Sequence, residues 1–324
     1  MKILTFNIRP LSPFGTPLAG DTIFGQLCWV IRNIQGTERL AGLLEGYTAG
    51  QPFAVVSDAF PAGFVSRPDI PADWLGLFSG SHTRSADRKE YKKLVWLPLT
   101  ALEHASDKWG SLLTSGEALP TPWEVWQSHN QIDRRTGTTG TDTGFDPFVV
   151  QQWQYPQDTE LHVHVCYEPE RIESELLEEA FQSMGQTGYG GNASSGMGRF
   201  EAWATETEVL PSGLDYANAW LTLAPCAPQG QNFDQNRSWY RVSTRFGRHG
   251  DVGALSAVPF KVPILLAQRG AVFSPQKAFA LKPFLGQGLG GRSDPISRFI
   301  PETVHQGYAP VLGIQLTGRS GRSP

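Results

Sequence analysis

The sequence predicts an α+β fold, and three observations predict it. Two-residue alternation, clearest in Leu161-His162-Val163-His164-Val165-Cys166-Tyr167, marks strands, whereas Ile23, Phe24, Leu27, Val30, Ile31 and Ile34 recur at helical spacing. Glycine (35) and proline (24) are frequent among the 324 residues, which favours short strands and many turns over a helical bundle. The order up to Trp203 is strand, helix, two strands, a long insertion, strand, helix, strand. That is a βαββαβ unit of ferredoxin-like (RNA-recognition-like) topology, enlarged by insertions.

Residues 2–9 form the first strand. A turn-rich segment from Pro10 to Gly20 follows, and Asp21 is placed to cap a helix running to about Ile34. A second short helix covers 37–46, and residues 53–57 and 63–65 are strands. Residues 67–127 mix proline, tryptophan and charge, with one helix near 98–105, and read as an insertion. Between 128 and 153 two polar-apolar arms flank a Thr/Gly tip, the pattern of a long hairpin or an ordering loop. The strand at 161–167 leads to a helix from Glu170 to Met184, a glycine-rich loop at 188–198 and a strand at 199–203. Pro211-Ser212-Gly213 is the expected linker. Beyond it, strand-like runs at 219–224, 238–244, 262–267 and 308–316 carry little helix and suit a second, degenerate unit of the same kind. The expected organisation is a first domain over 1–210 with an insertion at about 67–153, a second over 211–317, and a flexible tail over 318–324.

An apolar content of 40% against 18% charged residues allows a sizeable core and excludes a disordered chain. No run approaches the length of a membrane span, and residues 1–8 are too short and polar a segment for a signal peptide. Cys28, Cys166 and Cys226 lie far apart and form no CxxC pair, which fits a reducing, cytoplasmic location. Charge is uneven. Residues 1–180 carry 14 Lys and Arg against 23 Asp and Glu, and residues 181–324 carry 13 against 8. The segment 235–298 holds ten cations and two carboxylates, either a polyanion-attracting surface or a solvated basic face. The acidic half suits a protein partner better than nucleic acid.

Few motifs for small-molecule chemistry survive inspection. Gly188-Tyr189-Gly190-Gly191-Asn192-Ala193 and Gly286-Gln287-Gly288-Leu289-Gly290-Gly291 match the dinucleotide-loop spacing. The first follows a helix and precedes a strand, the reverse of the required order, and the second runs into Arg292-Ser293-Asp294-Pro295, a poor helix start. No Walker loop and no G-x-S-x-G occurs. His162 and His164 share a strand face, as metal ligands or as a packed pair, without a supporting cysteine or carboxylate cluster. His82 and His129 have no evident nucleophile partner. Asp21, Asp58 and Asp133 are placed as a helix cap, a turn residue and a hairpin residue and need no catalytic role.

A different kind of site is left. The loop Gly188-Tyr189-Gly190-Gly191-Asn192-Ala193-Ser194-Ser195-Gly196-Met197-Gly198 is rich in small residues and is followed by Arg199. Such a loop can present backbone N–H groups to phosphates at close range, or it is a plain helix-to-strand connection. It exceeds the usual 2–6 residues of such connections. A single strand of RNA is best held by cations and backbone donors on its phosphates, with aromatic or apolar groups beneath splayed bases. Phe14, Tyr189 and Met197 are candidates for that platform, or for ordinary packing. Arg134 and Arg135 are placed to contact phosphates, or to keep an exposed ribbon soluble.

The run Ser12-Pro13-Phe14-Gly15-Thr16-Pro17-Leu18-Ala19-Gly20-Asp21 and its continuation to Trp29 resemble the opening of the RAMP superfamily of CRISPR effector subunits. Within it the resemblance is to the fourth-subunit, Cas-five-like group of the type III-A Csm complexes. Ser57-Asp58-Ala59-Phe60-Pro61-Ala62-Gly63, the hairpin segment Asn130-Gln131-Ile132-Asp133-Arg134-Arg135-Thr136-Gly137 and the glycine loop with Arg199-Phe200 carry it further. So do Pro259 to Leu265, Gly270 to Phe273 and Gly307 to Pro310.

The resemblance implies two tandem ferredoxin-like domains, the first bearing a thumb-like β-hairpin. It implies a subunit without catalysis, cofactor or metal that grips the 5′ handle of crRNA and caps the backbone filament. The large polymerase-like Cas subunit and a backbone RAMP subunit would be its neighbours, with target RNA near the thumb and no membrane. The RNA contacts implied are Ser12, Phe14, Gly15, Thr16 and Gly20, then Asn130, Ile132, Arg134 and Arg135, then the loop 188–198 with Arg199, and finally Arg245, Arg248 and Lys261. Two alternatives stay open: a RAMP endoribonuclease processing precursor crRNA, and a protein-only scaffold. A nuclease would use a histidine near the glycine loop, yet none lies between His164 and His249.

Overall fold

The computed structural model describes residues 1–77, 85–139, 146–205, 215–277 and 280–317, with 85–88 as backbone only. The expected linker at 211–213, most of the Thr/Gly hairpin tip, His82 and the tail at 318–324 lie outside the described residues. The first half runs β1 (Lys2–Pro10), α1 (Gly20–Gln35), α2 (Thr37–Leu44), β2 (Ala54–Pro61), β3 (Phe64–Ser66), α3 (Ser85–Lys93), β4 (Leu94–Pro98) and β5 (Thr114–Ser115). It continues with β6 (Trp123–His129), β7 (Phe148–Gln154), β8 (Leu161–Tyr167), α4 (Ser174–Thr187) and β9 (Phe200–Thr205). The second half contains β10 (Ala219–Thr222), β11 (Val242–Arg245), β12 (Ile264–Ala267), β13 (Val272–Phe273), β14 (Phe284–Gly286), β15 (Leu289–Gly290), β16 (Val304–His305) and β17 (Tyr308–Ile314).

Strand alternation places Phe6 and Ile8 of β1 on one face, with Thr5 and Asn7 on the other. The apolar stripe of α1 (Ile23, Phe24, Leu27, Val30, Ile31) and that of α4 (Leu177, Ala180, Phe181, Met184) cover the apolar face. Phe6 stacks on Phe181 with ring centroids 4.0 Å apart. The sheet order is β2-β8-β1-β9, all antiparallel. With helices after the first and third of these strands, this is the ferredoxin-like arrangement read from the sequence.

The second sheet, β13-β10-β17-β14, is also antiparallel. Its strand order differs from that of the first sheet, and no α-helix covers it among the described residues. The second ferredoxin-like unit expected of this half is therefore not reproduced in its sheet order. The insertion is more ordered than its composition suggested, pairing β3, β4 and β5 into a sheet. Its helix expected near 98–105 is a short 3-10 turn, Leu99–Glu103. Leu97, Leu102 and Trp109 of the insertion share one core with Leu221, Leu312 and Ile314, so it packs on the second half rather than standing as an appendage of the first.

Two of the aspartates assigned bland roles lie elsewhere. Ala19, not Asp21, is the N-cap of α1 and offers no side chain. The orphan amide of Gly20 is instead accepted by Asp58 Oδ1 at 2.8 Å, from buried β2 rather than from a turn. On the polar face of the first sheet, His164 Nδ1 lies 2.9 Å from Thr5 Oγ1, and burial pushes the His164 imidazole down to about 3, so it is neutral. The rings of His162 and His164 are 6.1 Å apart, and no group of three or more metal-ligating side chains that could hold an ion occurs among the described residues. All three cysteines are free. No helix among the described residues is long and apolar enough to cross a membrane.

The halves meet along β2. Gln306 is fully buried; its Nε2 donates to Val56 O and its Oε1 accepts from Val56 N, both at 2.8 Å. Asp58 N donates to Leu223 O at 2.9 Å. Replacing Gln306 with leucine strands one buried donor and one buried acceptor. We expect a loss of about 2–4 kcal/mol, read as a lower urea midpoint at constant m value.

Candidate nucleic-acid interface

The turn between β1 and α1 organises the site, because the glycine loop and the root of the hairpin are both tied to it. Leu11 N and Ser12 N both donate to Arg199 O, and Arg199 N donates back to Ser12 Oγ at 2.9 Å. Gly198 N donates to Pro13 O, Gly191 N to Thr16 Oγ1, and Tyr189 Oη to Pro17 O. Phe14 pairs with Trp153 through two 2.8 Å backbone bonds, which fixes the root of the β6–β7 hairpin to the same turn.

The glycines of the loop serve this contact. A side chain at Gly190 would come within 2.7 Å of Thr16 Cβ, and one at Gly15 would collide with Gly191 O. Gly198 combines φ +72 with a carbonyl, Tyr189 O, where a Cβ would stand. Gln26 of α1 closes the arrangement: its Nε2 donates to Gly188 O and its Oε1 accepts from Gly190 N, at 2.7 and 2.9 Å.

This geometry narrows the expected phosphate cradle. Most amides of the loop already have protein acceptors, and only those of Asn192, Ala193 and Ser194 do not, among the described residues. Gly191, Asn192, Ser194, Ser195, Gly196 and Arg199 are exposed. Phe14 and Tyr189 are fully buried and Met197 nearly so; Phe14 packs with Tyr155, Tyr189 and Phe200. These three support the loop from beneath and offer no open face to a base. Gly20 is likewise buried, against the backbone of Val56 and Ser57.

The basic stretch divides similarly. Arg245 is committed to Asp21, with Nε 2.6 Å from Oδ2 and Nη2 2.5 Å from Oδ1. Burial opposes ionisation of Asp21, but bonding to His305 and Arg245 overcomes it and holds the carboxyl well below the usual range. His305 Nε2 lies 3.3 Å from Asp21 Oδ2, and burial depresses its imidazole. Burial likewise lowers the Lys261 ammonium and pushes the Cys28 thiol up to about 12. Arg241, Arg269 and Arg292 pair with Asp69, Asp58 and Glu302. Arg245 is therefore structural where the sequence suggested a phosphate ligand, and Lys261 is part-buried without a carboxylate partner among the described residues. Arg248 is exposed, with its guanidinium 5.8 Å from the Phe260 ring centroid.

The hairpin presents Asn130, Ile132, Arg134 and Arg135 to solvent around buried Asp133, whose Oδ1 accepts from Arg135 N at 2.9 Å. Trp126 of β6 is 62% exposed and Phe148 of β7 is 49% exposed. The sequence reading missed Gln26 and the buried Asp21–Arg245–His305 cluster. It also missed an apolar flap between β11 and β12, where Phe246, Leu255 and Phe260 are 74%, 88% and 62% exposed. Hydrophobic residues interleaved with the cations of 241–265 were its available signal. Asn33 holds Asp251 at 2.7 Å and Gly250 abuts Trp29, so this flap lies along α1.

Asp21 is ionised more readily in the folded chain than in the unfolded one, so its contribution is complete above the ordinary aspartate value of about 4 and fades as pH falls below it. Arg245→Met leaves the buried carboxylate without its main partner. We expect a loss at neutral pH near the lower end of roughly 3–5 kcal/mol, because the guanidinium is a third exposed, and a deficit that shrinks as the pH is brought towards about 4. Urea unfolding at both pH values measures it.

No family model and no curated protein sequence matches the chain. Solved structures do. A chain of a Csm1–Csm4 cassette crystallised with pppApA aligns with a TM-score of 0.59 at 14% identity, covering 99% of this chain and 100% of that one. A chain of a Csm3–Csm4 subcomplex of a type III-A CRISPR-Cas interference complex aligns with a TM-score of 0.60 at 12% identity, covering 96% and 99%. The likeness is one of fold: over nearly its whole length the chain shares the fold of the chains it aligns with in these Csm4-containing assemblies.

Proposed function

We propose that this chain is a non-catalytic subunit of a type III CRISPR effector complex that holds the 5′ handle of crRNA and caps one end of the backbone filament. One observation carries the proposal: a single turn, Leu11 to Gly20, joins the glycine loop, the root of the thumb-like hairpin and, through α1, the flap between β11 and β12. The strand would run across the outer side of the loop, where the amides of Asn192 to Ser194 have no protein acceptor among the described residues and Arg199 is exposed. Arg134 and Arg135 at the hairpin and Arg248 beside Phe260 extend the cationic and aromatic surface that single-stranded RNA requires. The hairpin would then lie near the junction of handle and guide, close to target RNA. The exposed apolar residues Phe246 and Leu255 of the flap suit burial against a neighbouring protein, with the large polymerase-like subunit and a backbone RAMP subunit as the proposed partners.

The endoribonuclease alternative gains one observation, the approach of His305 to Asp21. Only 8% of His305 is exposed, however, which keeps its imidazole away from a strand on the surface. Incubating the chain with labelled repeat RNA should give binding without cleavage; metal-independent cutting would overturn the non-catalytic assignment. Replacing Arg134, Arg135 and Arg199 together with glutamine should weaken binding and reduce the slope of log affinity against log salt by about 2. An unchanged slope would remove these residues from the interface.

A further inference from the structure

A second concavity lies away from the turn and the glycine loop, between the insertion and the start of β11. Its volume is about 530 Å³, within the range of small-molecule sites. Arg67, Tyr91 and Lys92 line it from the insertion, and Trp239, Tyr240 and Arg241 from the second half. The charge is lopsided: three cations face one carboxylate, Asp69. That carboxylate is already engaged, since Arg241 Nε lies 2.9 and 3.0 Å from its two oxygens. Arg67 donates one side-chain bond, from Nη1 to Tyr91 O at 2.7 Å. Burial disfavours its charge, the Asp69 carboxylate only partly offsets this, and the nearby Arg241 cation adds to the penalty. A second anion in the cleft would relieve that repulsion.

The aromatic rings are held in place before any ligand arrives. Trp239 is clamped to Val272 by backbone bonds in both directions, and its ring meets Trp74 edge-on at 4.8 Å. Tyr240 stacks on Phe273 at 5.6 Å and is still 49% exposed. Rigid rings beside clustered cations match a ligand with a planar ring at one end and an anionic group at the other.

We infer that this cleft binds a nucleoside phosphate, its base against Trp239 and Tyr240 and its phosphate on Arg67, Lys92 and Arg241. The site is independent of the proposed RNA path, because none of these residues belongs to the turn, the glycine loop or the thumb. Its ligand is either a free nucleotide or the phosphorylated end of an RNA strand.

Calorimetric titration of the full chain with ADP and, separately, with a 5′-phosphorylated tetraribonucleotide distinguishes the two sources. Saturable binding of ADP identifies a free-nucleotide site, and saturation by the tetranucleotide alone identifies an RNA end. In either case Arg67→Gln should weaken binding by about tenfold or more and Lys92→Gln by severalfold, as expected for loss of charge-assisted bonds. Lys92 is exposed, so its replacement leaves the fold intact if Arg67→Gln does not. The Arg134, Arg135 and Arg199 triple variant should bind as the parent does, which separates failure here from failure of the handle-binding role. No saturation by either probe at millimolar concentration, or saturation unaffected by both Arg67→Gln and Lys92→Gln, overturns the inference.

Discussion

A buried carboxylate at the head of one helix sets the geometry of the whole site. Asp21 is 4% exposed, and it binds the Arg245 guanidinium through both oxygens. An ion of that kind is tolerated in an interior only when its partner is fixed beside it. Arg245 ends β11, so the requirement draws the flap of the second half against the start of α1. Asp58 and Gln306 extend the same junction along β2, one accepting from Gly20 and the other satisfying both backbone groups of Val56. Since α1 also carries Gln26, which grips the glycine loop, a single helix aligns loop and flap.

Function then falls to what this framework leaves exposed. The small residues of the loop allow two backbones to interlock at Gly15–Gly191 and Gly190–Thr16, and the interlocking consumes most of the loop's amides. A strand would therefore meet a rigid, narrow rim of three free amides and Arg199 rather than an open cradle. Rigidity of that sort suits holding, since it positions phosphates at little ordering cost.

The first sheet was legible because periodicity reports faces: the stripes of α1 and α4 and the alternation of 161–167 each became the element expected, on the side expected. The hairpin at 128–153 was legible from its arms, although pairing begins earlier, at Trp123. What periodicity cannot report is which cation has an acidic partner far away in sequence. Arg245 read as a phosphate ligand because a charge count omits a carboxylate 224 residues distant. Phe14 and Tyr189 read as candidate platforms because an aromatic residue in a turn carries no mark of its burial. The place of the insertion in the second core was hidden in a similar way, since Leu97 and Leu102 meet Leu221 and Leu312 more than a hundred residues away in sequence.

The central claim is spatial: one face, built on the Leu11–Gly20 turn, carries the RNA. Photocrosslinking the assembled complex on repeat-derived RNA, followed by mass spectrometry of this subunit, tests it directly. The account predicts adducts in 191–199 and 130–135, with further ones near Arg248 and Phe260, and an RNA strand of unchanged length. Adducts confined to other surfaces, or a strand cut at the handle, would contradict it.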